Sequence, residues 1–325
     1  MTNAGNMYVD GQPGEREWGN KQRQEKEAMA HAVLPNQNNL LPIGHIVNLP
    51  IRHRDFNADL SAKNLHPVDF SQLSNATESE LREAVAWVQE KVGWFHSVDL
   101  PHGIATPGSR GWEERAHRFA VAERVKGKTV LDIGAVEGGD TFAAEAAGAQ
   151  LTAYDVDNYL EYDLGLNAAW DHIVDRFFSA RAAGPEAEWI FLNAKRLGFE
   201  LCRAARRSAA VRLSGSVYDL NPARHGQFDV VYCFGLLYHL RNPVLAIDRI
   251  SAVTREMAFF NNQILAGYAP NPNTVLFFNE TWRGSYTNWF VPTPQSFLGM
   301  LGSAGFRQLE VVDQSPTALS VIAHK

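Results

Sequence analysis

The segment Thr129–Gly139, TVLDIGAVEGG, decides the fold. Its apolar start predicts a strand over Thr129–Ile133, and the glycine-rich turn Gly134–Gly139 leads into a predicted helix over Thr141–Ala147. Glycine has no Cβ, so a ligand can approach the main chain of such a turn. The turn differs from the GxGxxG pattern of dinucleotide binders, because Val136 occupies the middle glycine position. This pattern favours a ligand that places no phosphate on the turn.

Further strands and helices follow this unit in alternation. The pattern predicts strands over Leu151–Tyr154, Val211–Val217, Phe228–Phe234 and Glu256–Asn261, a helix over Pro294–Ala304, and a final antiparallel pair of Phe306–Val312 with Ala318–Ala323. Such alternation is typical of an α/β protein with a doubly wound, mostly parallel sheet.

Three regions differ in composition. Residues 1–40 are polar and predict a disordered or weakly ordered tail, and residues 41–115 predict an N-terminal helical extension. Within that extension, Thr77 and Glu80 form a capping box for a helix over Thr77–Val92. Residues 116–325 form the α/β domain, in which 163–210 is an insertion with two predicted helices, Ala169–Ala182 and Glu186–Arg207.

The composition excludes several classes of protein. The 325 residues are 45% hydrophobic and 20% charged, which is globular rather than disordered or collagenous. Thirty Lys and Arg against 36 Asp and Glu give a net charge of −6, which disfavours non-specific binding to nucleic acid. Cys202 and Cys233 are the only cysteines, and no short metal-ligand spacing occurs, so we expect no metal and a reducing compartment. No apolar run is long enough to span a membrane and no leader is visible, so we expect a cytoplasmic protein.

Acidic residues recur where strands are predicted to end. Asp155 follows the second strand, and its carboxylate can accept both hydroxyls of a ribose. Asp219 follows the third strand and can accept from an exocyclic amine. An aspartate at a strand end can instead cap the next helix, and for Asp219 this reading stays open.

The combination resembles a class I S-adenosylmethionine-dependent methyltransferase, with a Rossmann-like fold. It rests on Leu131–Gly134, Asp155, Tyr218-Asp219 and Phe228–Val231. Phe228–Pro243, with its Leu237-Tyr238-His239 core, is similar to the tRNA wobble-uridine carboxymethyltransferase family and its small-molecule methyltransferase relatives. Asn288–Thr293 and Trp94–Gly108 fit the same family.

The resemblance implies which residues bind the cofactor. The turn at Gly134 and Ala135 would hold the methionine end, and Asp155 and Val156 the ribose and adenine. The remaining implied contacts are Tyr218 and Asp219 at the adenine, Phe234, Gly235 and Tyr238 at the sulfonium, and Arg110 at the cofactor carboxylate.

Two positions distinguish the cofactor. Carboxymethyl-transferring members use a lysine in the upstream loop and an arginine before the C-terminal Pro, where this chain has His96 and Thr287. An unpaired carboxylate is costly at a buried site. We therefore expect S-adenosyl-L-methionine rather than carboxy-S-adenosyl-L-methionine.

His239 is the candidate catalytic residue, because it follows the fourth strand beside the expected sulfonium and imidazole can act as a base. The alternative interpretation is that His239 caps the strand end or packs on the next helix. Candidate substrate contacts are His96 in the upstream loop and Glu280, Trp282, Tyr286 and Trp289 in a late aromatic loop. These aromatic residues could instead anchor the loop.

We expect methylation of a small molecule, on oxygen, in specialised metabolism, with no membrane partner. Two alternatives remain open. The basic face of the helix Glu186–Arg207 could dock RNA, which would indicate a tRNA wobble-uridine methyl- or carboxymethyltransferase. The chain could also be a non-catalytic, cofactor-binding regulatory subunit.

Overall fold

The computed structural model describes residues 69–164, 168–267, 271–277 and 287–325. The predicted tail over residues 1–40 and the candidate residues Glu280, Trp282 and Tyr286 lie outside these ranges. The strands are β1 (Asp99–Leu100), β2 (Ile104–Ala105), β3 (Thr129–Ile133), β4 (Gln150–Asp155), β5 (Val211–Ser214), β6 (Phe228–Phe234), β7 (Thr254–Gln263), β8 (Val275–Phe277), β9 (Phe290–Pro292), β10 (Gln308–Gln314) and β11 (Ala318–His324).

The helices connect these strands. They are α1 (Glu78–Lys91), α2 (Glu113–Arg118), α3 (Val121–Arg124), α4 (Gly139–Ala146), α5 (Ala168–Ala183), α6 (Pro185–Leu192), α7 (Leu197–Ala205), α8 (Pro222–His225), α9 (Pro243–Val253) and α10 (Pro294–Ser303). The capping box of α1 is confirmed: the Thr77 amide donates to Glu80 Oε2 at 2.7 Å, and the Glu80 amide donates to Thr77 Oγ1 at 3.4 Å.

Seven strands form one sheet in the order β10-β11-β7-β6-β3-β4-β5. The strands β7, β6, β3, β4 and β5 are parallel to one another, and β11 pairs antiparallel with both β7 and β10. The predicted fold class and the predicted final antiparallel pair are therefore confirmed. The chain order reverses at β3, since β4 and β5 lie on one side of it and β6 and β7 on the other. Open α/β sheets bind ligands at the carboxyl ends of the strands beside such a reversal.

The sheet separates two apolar layers, and the alternation along β3 explains why. Val130 packs in a cluster with residues of α1, α4 and α7, whereas Leu131 and Ile133 pack in a cluster with residues of α9 and α10. Successive side chains of a strand point to opposite faces, so one apolar run supplies both layers.

The insertion differs from its prediction. The single helix expected over Glu186–Arg207 is two helices, α6 and α7, separated by residues 193–196. The Asn193 side chain donates to the Trp189 carbonyl at 2.9 Å, and the Lys195 amide donates to the Asp157 carbonyl at 2.9 Å instead of a helical partner. These competing bonds end α6 and rotate Lys195 away from the basic face predicted for one continuous helix.

Two strand predictions also change in length. The strand predicted over Val211–Val217 ends at Ser214, because Val217–Asp219 forms a 3-10 turn in which the Ser216 side chain accepts from the Tyr218 amide. The strand predicted over Glu256–Asn261 extends in both directions to Thr254–Gln263, where it pairs with β6 and β11.

Candidate active site

A cavity of about 630 Å³ lies at the carboxyl ends of the parallel strands. Its volume falls within the ~300–1,000 Å³ typical of small-molecule sites. The wall includes the sequence-predicted residues His96, Arg110, Gly134, Asp155, Val156, Tyr218, Phe234, Gly235, Tyr238 and His239. The sheet topology therefore brings together side chains that are up to 143 positions apart, the separation from His96 to His239.

The glycine turn begins at Gly134, which is hydrogen-bonded to β4, and ends at the closely packed Gly138 and Gly139. Gly134 has φ +77°, and its amide donates to the Tyr154 carbonyl of β4 at 2.8 Å. Gly138 also has positive φ, +84°, and a Cβ there would lie 2.6 Å from the ring of Phe142. Glycine is therefore required at Gly138 for both backbone conformation and space. The first helical residues of α4 follow directly and face the cavity wall at Asp140.

Asp155 at the end of β4 holds the turn in place. Its Oδ2 accepts from the Val136 amide at 2.9 Å, and its Oδ1 accepts from the Val156 amide at 2.8 Å. A carboxylate has about four lone-pair sites, so each oxygen can accept one further hydrogen bond. The side chain can thus bind two neighbouring hydroxyls while it orients the turn.

Asp132 lines the cavity beside the ion pair of Arg115 and Asp140. Arg115 donates to Asp140 from Nε at 2.9 Å and from a terminal nitrogen at 2.6 Å, and Thr141 Oγ1 donates to Asp132 Oδ2 at 2.5 Å. Burial, followed by repulsion from Asp140, raises the pKa of Asp132 to about 7. A proton on Asp132 relieves that repulsion.

Replacing Asp132 with asparagine should change how stability depends on pH. The folded-state pKa of Asp132 lies above its unfolded value, so wild-type stability should fall as pH rises from about 4 to about 7. The free energy of unfolding of Asp132→Asn relative to wild type should rise between pH 5 and pH 8, by about 3 kcal/mol at most, because this window spans about two pH units below the folded-state pKa of about 7. Urea unfolding at both pH values measures this, with Asp219→Asn as the exposed control. Parallel pH dependences for wild type and Asp132→Asn would contradict the assignment.

Aromatic side chains form the next part of the wall. The guanidinium of Arg115 lies 5.9 Å from the centre of the Phe234 ring. The rings of Tyr238 and His239 are 4.2 Å apart, and a Cβ on Gly235 would lie 3.2 Å from the Tyr238 hydroxyl. Aromatic faces attract cations, so this wall can stabilise a positively charged sulfur.

His239 is held by the segment that precedes β9. Its Nδ1 lies 3.0 Å from the Thr287 carbonyl oxygen and 3.0 Å from Thr287 Oγ1. A carbonyl only accepts, so Nδ1 carries the proton and Nε2 carries the free lone pair. Burial lowers the pKa of His239 to about 4, although the bond to Thr287 opposes this and the charge of Lys195 adds to it. The ring is therefore neutral at pH 7.

A hydrogen-bond network joins three loops at the cavity mouth. The Tyr218 hydroxyl donates to Asp163 Oδ2 at 2.6 Å, and the same oxygen accepts from the Arg241 amide at 2.7 Å. Trp289 Nε1 donates to the Asp163 carbonyl at 2.8 Å, and its amide donates to the Tyr238 carbonyl at 2.7 Å. Trp289 is buried and does not line the cavity, so it positions the loops that do.

The upstream loop is attached to the glycine turn through Glu137. The Glu137 carboxylate accepts from the amides of Phe95 at 3.1 Å and His96 at 3.0 Å. His96 is buried, and burial lowers its pKa. A neutral imidazole therefore occupies the wall at this position, where the resemblance would place a lysine.

The predicted site residues are not all in the cavity wall. Ala135 is buried behind the turn, and Asp219 is exposed on the 3-10 turn after β5. Sequence reasoning missed Asp163, the first residue of the insertion, and Lys195, which it included only in the basic face of the helix predicted over Glu186–Arg207. The sequence signal that was available is Asn193, a residue type that favours helix ends. It indicates that the predicted helix is interrupted just before Lys195.

Two kinds of feature are absent from the described residues. Within the ranges that the structure covers, no three His, Cys, Asp or Glu side chains are arranged to hold a metal ion. Among the helices of the same ranges, none is both long and apolar enough to cross a bilayer.

The sequence was compared with protein families and curated proteins. The model of a family described as a methyltransferase domain matches residues 108–310. The chain is 29% identical over 103 residues to the tRNA U34 carboxymethyltransferase of Tolumonas auensis, a match that covers 31% of this chain and 30% of the relative. It is 32% identical over 98 residues to the same enzyme of Methylococcus capsulatus, covering 30% of this chain and 29% of the relative. The match thus spans less than a third of these relatives' length.

Solved structures share the fold. The N-terminal domain of EvdMO1, determined in the presence of SAH and D-fucose, matches with a TM-score of 0.54 at 19% identity, covering 77% of this chain and 97% of that domain. The same domain with SAH bound matches with a TM-score of 0.50 at 19% identity, covering 75% and 95%.

Proposed function

The chain belongs to the methyltransferase-domain family, and from this premise we propose that it transfers a methyl group from S-adenosylmethionine to an oxygen atom of a small-molecule acceptor. One observation supports this most directly: a single cavity connects Asp155, at the glycine turn, with His239 on the opposite loop. The volume of this cavity suits small ligands. One end presents the Asp155 carboxylate, and the other presents the His239 imidazole.

The residues fit the proposed cofactor. Asp155 retains lone pairs for two ribose hydroxyls, and Gly134 presents its main chain to the cavity. Phe234 and Tyr238 supply aromatic faces for the sulfonium, and Val156 and Tyr218 line the wall next to Asp155. The EvdMO1 domain, which has the same fold, was solved with SAH, the demethylated form of S-adenosylmethionine.

When bound, S-adenosylmethionine supplies an electrophilic methyl carbon on a positively charged sulfur. The chain's residues hold the acceptor in line with that carbon and exclude water. His239 Nε2 accepts the hydrogen bond of the acceptor hydroxyl, because Nδ1 is committed to Thr287. With a pKa of about 4, His239 would remove a proton from a hydroxyl of pKa ~10 only at a cost of about 8 kcal/mol. We infer that it orients the hydroxyl and takes the proton as the carbon–oxygen bond forms.

A tRNA substrate is the second candidate, since the curated relatives are named tRNA U34 carboxymethyltransferases. The basic face predicted for the helix Glu186–Arg207, which would bind the RNA, has fewer available donors than the sequence indicates. Arg196 and Arg203 both pair with Glu200, and Arg206 and Arg207 bond backbone carbonyls of other segments. Lys195 faces the cavity. Glu200 offsets part of the charge of this predicted basic face, and the bonds of Arg206 and Arg207 to carbonyls occupy donors that would otherwise bind phosphates.

Label transfer tests the function. Purified protein is incubated with methyl-labelled S-adenosylmethionine in two separate reactions. One reaction contains a metabolite extract from the host, and the other contains total tRNA from the host. We expect SAH to bind at micromolar or lower concentration and the label to enter the metabolite fraction. Label in tRNA would favour the second candidate, SAH binding without transfer to either would favour a regulatory subunit, and absence of SAH binding would refute the cofactor assignment.

A further inference from the structure

Lys195 places a positive charge in the cavity wall from the turn between α6 and α7. Its Nζ lies 5.3 Å from the centre of the Tyr159 ring and 5.7 Å from that of Tyr162. Its amide is fixed by the bond to the Asp157 carbonyl. The side chain is half-buried and cannot extend into bulk solvent without leaving this aromatic pair.

Among the described residues, no carboxylate forms an ion pair with the Lys195 ammonium group. The acids of the wall have other partners: Asp132 bonds with Thr141, Asp140 pairs with Arg115, Asp155 with two amides, Glu161 with Asn158 and the Asp157 amide, and Asp163 with Tyr218. The Lys195 charge therefore has the side chains of Tyr159 and Tyr162 beside it, with a hydrogen bond to Tyr162, and it feels the Asp155 charge without forming an ion pair with it. A charge withdrawn from water without an opposite charge is unfavourable unless a ligand supplies one.

The position of Lys195 indicates which ligand that is. Lys195 lines the same cavity as Asp155, at the proposed ribose site, and His239, at the proposed acceptor site. The Asp155 charge favours the protonated form of Lys195, and the Lys195 charge disfavours protonation of His239. Lys195 therefore lies where the two ligands would meet. The ribose hydroxyls are neutral, and the carboxylate at the methionine end of the cofactor is assigned to Arg110, another residue of the wall. On this assignment the cofactor offers no anion to Lys195.

We propose that Lys195 Nζ binds an anionic oxygen group of the methyl acceptor, so that the substrate class is a small carboxylate-bearing molecule with a hydroxyl group. This rests on the proposed function, because it assumes that S-adenosylmethionine occupies the Asp155 end. The anion would also hold the acceptor against the Tyr159 and Tyr162 side of the cavity and direct its hydroxyl toward His239.

Paired neutral and anionic probes test this. Protein saturated with SAH is titrated at constant ionic strength with acetate, benzoate and 4-hydroxybenzoate, and with the corresponding amides, and the shift of the unfolding midpoint is followed. We expect at least one carboxylate to bind wild type at least tenfold more tightly than its amide. Lys195→Met should lose this preference, Lys195→Arg should retain part of it, and the exposed control Lys126→Met should leave it unchanged.

The inference is overturned if no carboxylate exceeds its amide on wild type, or if the preference persists in Lys195→Met. A second titration compares S-adenosylmethionine with carboxy-S-adenosylmethionine on wild type and Lys195→Met. A preference of tenfold or more for the carboxylated donor that Lys195→Met removes would assign the anion to the donor and refute the acceptor assignment. SAH affinity is measured first, so a failure of the cofactor site is distinguished from a failure at Lys195.

Discussion

Asp155→Asn is expected to weaken SAH binding by at least 100-fold. A hydrogen bond to a charged group contributes about 1.5–3 kcal/mol, so two ribose hydroxyls correspond to about 3–6 kcal/mol, or roughly 10²- to 10⁴-fold in affinity. In wild type, the backbone amides of Val136 and Val156 each donate to one oxygen of Asp155. In Asp155→Asn, one of these oxygens becomes an NH₂ group, so a donor faces a donor at one of the two backbone amides. The variant therefore loses ribose contacts and loosens the glycine turn at once.

Isothermal titration with SAH measures the effect, and far-ultraviolet circular dichroism verifies that the variant is folded. Asp219→Asn is the matched control, because Asp219 follows the neighbouring strand and the structure places it on the surface. Its SAH affinity should stay within about twofold of wild type. A folded Asp155→Asn protein that binds SAH within fivefold of wild type would exclude Asp155 as the ribose ligand.

His239→Ala is expected to lower methyl transfer by about 10²- to 10⁴-fold, the usual contribution of a positioned acid or base. SAH affinity should change less than about threefold, since His239 lies at the acceptor end of the cavity. His239→Gln retains an acceptor atom and should keep part of the activity. The exposed His172, on helix α5, provides the control His172→Ala.

The pH profile distinguishes this role from that of an ordinary histidine base. Protonated His239 cannot accept a hydrogen bond at Nε2, so activity should fall as pH decreases through the His239 pKa of about 4. Single-turnover label transfer from about pH 3 to pH 9 measures this, with circular dichroism to verify that the protein is folded at the acid end. An acid limb near pH 6.5 that disappears in His239→Gln, or full turnover in both variants, would show that the burial and role assigned to His239 are wrong.

Local sequence patterns were sufficient for most of the fold. The apolar run Thr129–Ile133 and the glycines after it specify a strand and a turn through contacts with near neighbours, and the alternation of such units predicts a parallel sheet. The capping box at Thr77 is likewise local. Asp155 could be placed at the cavity because it follows a predicted strand, and open α/β sheets bind ligands at the carboxyl ends of their strands.

Positions that depend on distant partners could not be derived in this way. Lys195 leaves the predicted basic face because its amide binds Asp157, 38 positions earlier in the sequence. His239 acquires its tautomer from the Thr287 carbonyl, and its pKa from burial by segments far away in the chain.

The sequence by itself determined the class of fold, the glycine turn and the acid that faces it, since each follows from hydrophobic periodicity and residues adjacent along the chain. Only the tertiary structure decided that Asp219 lies on the surface, that Lys195 enters the cavity without a carboxylate partner among the described residues, and that His239 is neutral. Burial and charge balance depend on which segments meet in space, and the periodicity of one segment carries no information about the others.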